Sequence, residues 1–423
     1  MGDTEVLGWG LAMGKSELIV GLDIGTTKIC AVVGELGANG LVEVVGIGTS
    51  PSTGLRKGVV VNIDQTVQSI KKALEEAELM AGCAIRSVYV GIAGSHIKGF
   101  NSHGVIAVKG GEVASRDVER ALDAARAVAI PADREVIHIL PQEFIVNNQR
   151  GIIDPLGMAA VRLEVKVHIV TGAVSSAQNI IRSCHRSGLE VADIALESLV
   201  SAKAVLTAEE REIGVALVDL GGGTTDIAIF ANDAIKHTGV LGLGGQNLTN
   251  DIAFGLRTSM AAAEKIKLKY GCALADMARS EEFIEVPSVG GREPRRLSRQ
   301  VLAEICEPRM EEILFLVEQE LSHSGFKDMV GAGVVLTGGA ALIEGCQELA
   351  EQIFNLPTRI GYPQNIGGLK DVVDSPKFAT AVGLLRYGAE KEGRGQRKFA
   401  PSGDSGLFEK IFKRMKQWFS DVS

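Results

Sequence analysis

One pattern occurs twice in this chain and limits its fold more than any other feature. An apolar strand ends in aspartate, turns on glycine and threonine, and returns as a second apolar strand. Residues 18–33 read LIVGLDIGTTKICAVV and residues 213–230 read IGVALVDLGGGTTDIAIF. Asp23 and Asp219 lie 196 residues apart, an interval that predicts two similar α/β halves facing each other. A glycine-rich turn carrying a surface acid would explain one such hairpin. It does not explain two matched copies.

The residue types suit triphosphate chemistry. Gly25 in the first turn, and Gly221, Gly222 and Gly223 in the second, let bare backbone N–H groups approach anionic oxygens. Thr26, Thr27, Thr224 and Thr225 add hydroxyl donors, and Lys28 adds a positive charge unless it alternates outward along its strand. An acid beside phosphate is repelled unless a cation intervenes, so Asp23 and Asp219 imply Mg²⁺ held through water. A third element, VVLTGGAA from Val334 to Ala341, reads as a buried strand, a double glycine and a helix. There Gly338, Gly339 and Ala340 would admit a flat base and its ribose against the backbone. Residues 10–16, GLAMGKS, imitate a P-loop, but Trp9 stands where that pattern needs its first glycine.

Composition narrows the class. The chain has 423 residues, 46% hydrophobic and 23% charged, which suits two or three globular domains. Aromatics are only 4%, so the core is aliphatic, and the Val/Ile/Ala-rich runs fit a buried α/β sheet. A net charge of −8 argues against nucleic acid as a partner. The six cysteines form no CxxC pair and read as buried free thiols of a reducing compartment. No segment reaches the ~18 unbroken apolar residues of a membrane span. Residues 1–16 read as a disordered leader, with Met13 an alternative start.

With the three glycine elements in this order, the chain resembles the actin/Hsp70/sugar-kinase superfamily. The resemblance implies an actin-like, two-lobed ATPase fold with duplicated halves. ALESL at 195–199 is similar to the family's first connecting helix, where Glu197 would orient the attacking water. TAVGL at 380–384 is similar to the second, whose small residues let two helices cross closely. Glu264 and Lys267 match the helix that contacts ribose and adenine, and Gly245 joins the implied nucleotide set. Within the superfamily the chain most resembles the FtsA family of bacterial cell-division actins, from about Ser16 to Ser423. That resemblance implies a relocated small α+β subdomain, placed at 85–164. It also implies partners: the C-terminal peptide of the tubulin-like FtsZ, further copies of the chain in a filament, membrane lipid and other division proteins. Arg292, Arg295, Arg296 and Arg299 crowd into eight residues before and at the start of a helix expected over Ser298–Ser322, with Arg309 further along. Arg295, Arg299 and Arg309 are the expected contacts of the acidic FtsZ peptide.

The end of the chain is a separate device. Residues 388–406 are rich in Gly, Ser and charge and read as a flexible linker of roughly 20–25 Å reach. Beyond it, Leu407, Phe408, Ile411, Phe412, Met415, Trp418 and Phe419 form one helical stripe, with Lys410, Lys413, Arg414 and Lys416 elsewhere on the helix. A helix of ~21 Å is too short to cross a bilayer and fits an interfacial anchor on anionic lipid.

The expected organisation places the first lobe core at 17–84 and 165–207, and the second at 208–258 and 325–387. A second-lobe subdomain covers 259–324, and the membrane-targeting helix covers 407–423. The expected function is an ATP- and Mg²⁺-binding protein, with slow hydrolysis at most. It would polymerise on the cytoplasmic face of the bacterial inner membrane at the division site and tether FtsZ there. A small-molecule kinase and a pilus-assembly relative on the same fold are the alternatives.

Overall fold

In a computed structural model of the chain, residues 18–37, 41–290 and 292–396 are described. The leader and the stripe at 407–419 lie outside them. Residues up to Gly388 form one compact unit, and a second begins at Ala389.

Two sheets carry the duplication. The first has six strands in the order Glu190–Leu196, Ser87–Ile92, Leu18–Ile24, Lys28–Leu36, Val42–Pro51, Ile366–Gly368. The second has five, in the order Ala234–Leu241, Thr225–Ala231, Val215–Leu220, Val334–Thr337, Thr358–Ile360. Around each Asp-bearing strand the plan is the same. Its hairpin partner and the next strand lie antiparallel on one side, and parallel strands lie on the other. Strands buried on both faces must be apolar throughout. Val215–Leu220 is buried at every position, and Leu18–Ile24 at all but its first residue.

The hairpins match in register without a gap. Asp23 opposes Cys30, and Asp219 opposes Asp226. The turns close with equivalent bonds, Gly25 N–H to Lys28 O and Gly221 N–H to Thr224 O, both 3.0 Å. The Thr-Thr pairs are therefore not equivalent. Thr26 and Thr27 occupy the places of Gly222 and Gly223, and Thr224 occupies that of Lys28.

The inserted unit is a four-stranded antiparallel sheet in the order Lys98–Ala107, Arg162–Ala173, Arg134–Val146, Gln149–Ile152, covered by the helix Ser115–Arg126. It has its own core, including Leu163, Val165, Val167, Phe144 and Ala121. This corrects the expected boundary of 85–164 at both ends. Ser87–Ile92 belongs to the first lobe sheet, and Arg162–Ala173 is an inner strand of the insert. A buried apolar strand does not announce its partner, because its local pattern is the same in either sheet.

The insert also meets the second lobe. His168 shares hydrogen bonds with Thr238 Oγ1 (2.8 Å) and Asn101 Oδ1 (2.7 Å), and Gln142 Nε2 donates to Ile235 O (2.8 Å).

The long helix runs Arg299–His323, with Ser298 accepting from Gln300 N–H as its cap. Two helices, Glu197–Val205 and Ala379–Gln396, occupy the positions expected of the connecting helices. They cross with backbone contact, since a Cβ on Gly383 would fall 1.9 Å from Val200 O. The second continues to Gln396, so the segment from 388 to 396 is helical rather than linker. Glu390, Lys391 and Glu392 favour continuation. No helix among the described residues is long and apolar enough to cross a membrane.

Candidate functional site

The two hairpin turns meet, Thr26 against Gly223 and Thr27 against Gly222, and together they line a cleft of about 620 Å³. It brings together Asp23, Gly25, Thr26, Thr27, Lys28, Glu197, Asp219, Gly221, Gly222, Thr224, Gly245, Glu264, Lys267, Gly338, Gly339 and Ala340. Thr225 does not line it. That residue opens a buried strand, and its hydroxyl donates to Leu243 O at 2.9 Å. Gly223 is also absent from the lining and packs against Thr26, where a Cβ would lie 2.6 Å from Oγ1.

Local structure explains the positions. Lys28 turns inward, with Nζ 3.3 Å from Asp23 Oδ2 and 2.8 Å from Lys377 O. Gly338 adopts φ +86°, and a Cβ there would meet Asp219 Oδ1 at 2.4 Å, so only glycine fits. The double glycine leads into a short 3₁₀ turn, Gly339–Leu342, and the expected α-helix begins later, at Cys346. Lys267 is buried and donates to Gly245 O (3.0 Å), Thr249 Oγ1 (2.9 Å) and Glu264 Oε2 (2.8 Å). One cation thus ties the helix Met260–Tyr270 to the start of the helix Gly245–Gly255.

The electrostatics are dominated by acids. Burial raises the Asp23 pKa, against the pull of Lys28. Burial first, then the Asp23 charge, lifts Asp219 to about 6, although the Ser201 hydroxyl opposes the shift. Asp226 is pushed to about 7 by burial and by Asp219. Glu197 is raised well above the usual carboxylate range by burial and then by Asp23, Asp226 and Asp219. Asp226 Oδ1 is buried without a hydrogen-bond partner. Four acids around one lysine form an environment suited to a cation. Among the described residues no three acid, His or Cys side chains close on one point.

Asp226 lines the cleft as well, although the motifs of the sequence do not point to it. Its signal was there: an acid within the apolar run of Thr225–Ala231, directly opposite Asp219. Arg299, expected at a docking surface, instead lines the cleft. It is ion-paired with Glu282 (2.9 Å) and Glu344, and donates to Tyr270 O (2.9 Å). The other arginines diverge. Arg295 bonds Leu256 O, Arg296 lies 4.3 Å above the Phe283 ring, and Arg309 pairs with Asp251 (2.5 Å) and Glu312.

Sequence comparison decides the family. The chain is 55% identical to the cell division protein FtsA of Pseudomonas aeruginosa over 408 residues, 96% of this chain and 98% of that protein. The chain belongs to the FtsA family. The Escherichia coli K12 FtsA is 42% identical over 95% of this chain and 97% of its own length. The family model described as cell division protein FtsA matches residues 216–383, and that described as the SHS2 domain inserted in FtsA matches 94–171. The second match coincides with the four-stranded insert. Among solved structures, a PilM–PilN type IV pilus biogenesis complex aligns with TM-score 0.64 at 17% identity, covering 88% of this chain and 98% of that one. MreB5 of Spiroplasma citri bound to ADP aligns with TM-score 0.55 at 16% identity, covering 90% and 99%. These FtsA-family residues therefore adopt an actin-like fold with an inserted SHS2 domain.

Proposed function

We propose that this FtsA-family cell division protein binds ATP with Mg²⁺ in the interlobe cleft. In that state it assembles on the cytoplasmic face of the bacterial inner membrane at the division site and tethers FtsZ there. The observation that carries the nucleotide reading is the pair of hairpins in identical register, facing each other over buried carboxylates. ATP supplies a polyphosphate whose charge needs both donors and a cation. Backbone N–H groups and hydroxyls of the two turns address its oxygens, and Lys28 adds positive charge. Asp23 and Asp219 hold Mg²⁺ through water. Glu264 and Lys267 flank the ribose and base, against Gly338–Ala340. Glu197, raised first by burial and then by the neighbouring aspartates, would be the residue that orients the attacking water for slow hydrolysis, and a bound cation would supply charge that lessens the aspartate part of that shift.

The output is assembly and attachment. Arg295 and Arg309 remain the contacts for the acidic FtsZ peptide, while Arg299 serves the cleft wall. Residues 407–419, outside the described part, anchor weakly one by one and firmly when a filament presents many together. The SHS2 insert contacts the next subunit. Near full-length identity to cell division proteins favours this reading over a kinase or a pilus-assembly role. The test is liposome co-sedimentation of the full chain and a chain lacking 407–423, each with and without FtsZ. Recruitment of FtsZ to anionic vesicles only by the full chain supports tethering. Equal recruitment by both chains overturns it.

A further inference from the structure

The second-lobe aspartate is held by the two helices that join the lobes. Ser201, on the helix Glu197–Val205, donates from Oγ to Asp219 Oδ2 at 2.7 Å. Thr380, on the helix Ala379–Gln396, places Oγ1 3.0 Å from Ser201 Oγ and 3.3 Å from Asp219 Oδ2. Its single proton serves one of these acceptors at a time. Ser201 is fully buried and Thr380 nearly so, and both hydroxyls address the same carboxylate oxygen. The other oxygen, Oδ1, lies on the Gly338 side.

We propose that Ser201 and Thr380 are positioning residues that set the orientation of the Asp219 carboxylate toward the cation, so that the helix crossing between the lobes is read directly at the metal site. This rests on the reading of the cleft as an Mg²⁺–nucleotide site. The crossing fixes the hydroxyls. Val200 precedes Ser201, and Gly383 lies three residues, about one turn, beyond Thr380. These two residues form the point of backbone contact. A rotation of one helix against the other therefore moves one hydroxyl relative to its acceptor. Asp23, the counterpart in the first hairpin, has no such arrangement. Its partner is Lys28 of its own hairpin, a long side chain also bonded to Lys377 O. The duplication thus produces two aspartates with different mechanical roles. One is reached by the connecting segments only through a lysine of its own hairpin, and one is bonded directly by both connecting helices. Lys377, in the 3₁₀ turn Pro376–Phe378 just before the helix, and Thr380, in its first turn, lie three residues apart, so this one stretch reaches Lys28 beside Asp23 and both Ser201 and Asp219.

The test is calorimetry of ATP binding to the full chain, with Mg²⁺ and with EDTA, alongside thermal unfolding. The variants are Asp219→Ala, Ser201→Ala, Thr380→Val and Thr380→Ser. Ser201→Ala should reduce Mg²⁺-dependent affinity about tenfold, the scale of one hydrogen bond to a charged group. Affinity in EDTA should hold. Thr380→Val, which keeps shape and removes the hydroxyl, should lose about threefold in Mg²⁺, and Thr380→Ser should match wild type. If Ser201→Ala does not fold, the Val/Ser pair decides. Equal loss with and without Mg²⁺ would show a purely structural role and overturn the proposal. So would loss of Mg²⁺ dependence in Asp219→Ala with none in Ser201→Ala or Thr380→Val. A wild type or Asp219→Ala variant whose ATP affinity ignores Mg²⁺ in the first case, or keeps its full Mg²⁺ dependence in the second, overturns the cleft reading itself and this inference with it.

Discussion

Gly222 and Thr27 meet between the two hairpins: a Cβ on Gly222 would fall 2.5 Å from the Thr27 hydroxyl oxygen. The turns are closely apposed where one carries side chains and the other carries none. Gly222→Val should therefore act by forcing the turns apart, as well as by crowding phosphate. We expect a stability loss of ~1–3 kcal/mol, the usual cost of overpacking, and ATP affinity reduced beyond detection by calorimetry in folded protein. Unchanged affinity would mean the nucleotide sits elsewhere.

The acids of the cleft predict a pH dependence. Burial raises Asp219 to about 6 and Asp226 to about 7, above the usual aspartate value of 3.8. The folded chain therefore holds protons more tightly than the unfolded one. The stability these groups contribute is complete below about pH 4 and is lost as pH rises through 6–7. Mg²⁺–ATP should relieve that loss, so its thermal stabilisation should be larger at pH 8 than at pH 6. Asp226→Asn should remove part of the cost at pH 8 in metal-free protein, on the order of 1–3 kcal/mol. Melting curves identical for wild type and Asp226→Asn across this range would contradict it.

His168 has the opposite sign. Burial, then the neighbouring His237, lowers its pKa from the ordinary 6.5 to about 4. Its contribution is present above pH 6.5 and is lost as pH falls toward 4, by up to about 3 kcal/mol. His168→Ala would remove the partner of the Thr238 hydroxyl and one of the two groups that meet Asn101 Oδ1, the other being Gln142 Nε2, at ~1–3 kcal/mol. Hydrogen exchange should then quicken at the junction between the SHS2 insert and the strand Ala234–Leu241. Protection there equal to wild type would show that this contact does not hold the insert.

For the proposed FtsZ contact, Arg309 is the more informative arginine. Arg309→Glu would set an acid beside Asp251 and Glu312, so peptide binding and local stability should both fall. Arg309→Leu separates the two, removing the charge without adding repulsion. We expect at least tenfold weaker binding of the acidic FtsZ peptide to Arg309→Leu, weakening of the wild-type interaction by salt, and unchanged ATP affinity. Fluorescence anisotropy with labelled peptide would measure this. Equal affinity for wild type and variant would exclude Arg309 from the contact.

For the proposed anchor, Phe412→Glu with Trp418→Glu should abolish flotation with anionic liposomes while leaving ATP binding intact. Changing Lys413 and Lys416 to Glu should weaken flotation most on anionic vesicles and least on neutral ones. Flotation of the Phe412/Trp418 variant at the wild-type level would mean that the apolar stripe is not what meets the bilayer.

The sequence by itself determined the duplicated hairpins and the long helix that follows Ser298. Each is written in local alternation, turn chemistry or helical spacing, which neighbouring residues impose on one another whatever the rest of the chain does, whereas both connecting helices are expected only from the family resemblance. Tertiary structure alone decided which sheet receives Ser87–Ile92, since an apolar strand carries no address for its partner. It also decided that Arg299 turns to the cleft while Arg309 pairs with Asp251, and that Asp226 completes the acidic cluster. The meeting of Ser201, Thr380 and Asp219 belongs to the same class. Ser201 and Thr380 are 179 residues apart in the chain, and their hydroxyls touch one carboxylate only because two helices cross at Gly383. Burial, pKa and hydrogen-bond partners are properties of packing between distant elements, and they come into being only when those elements assemble.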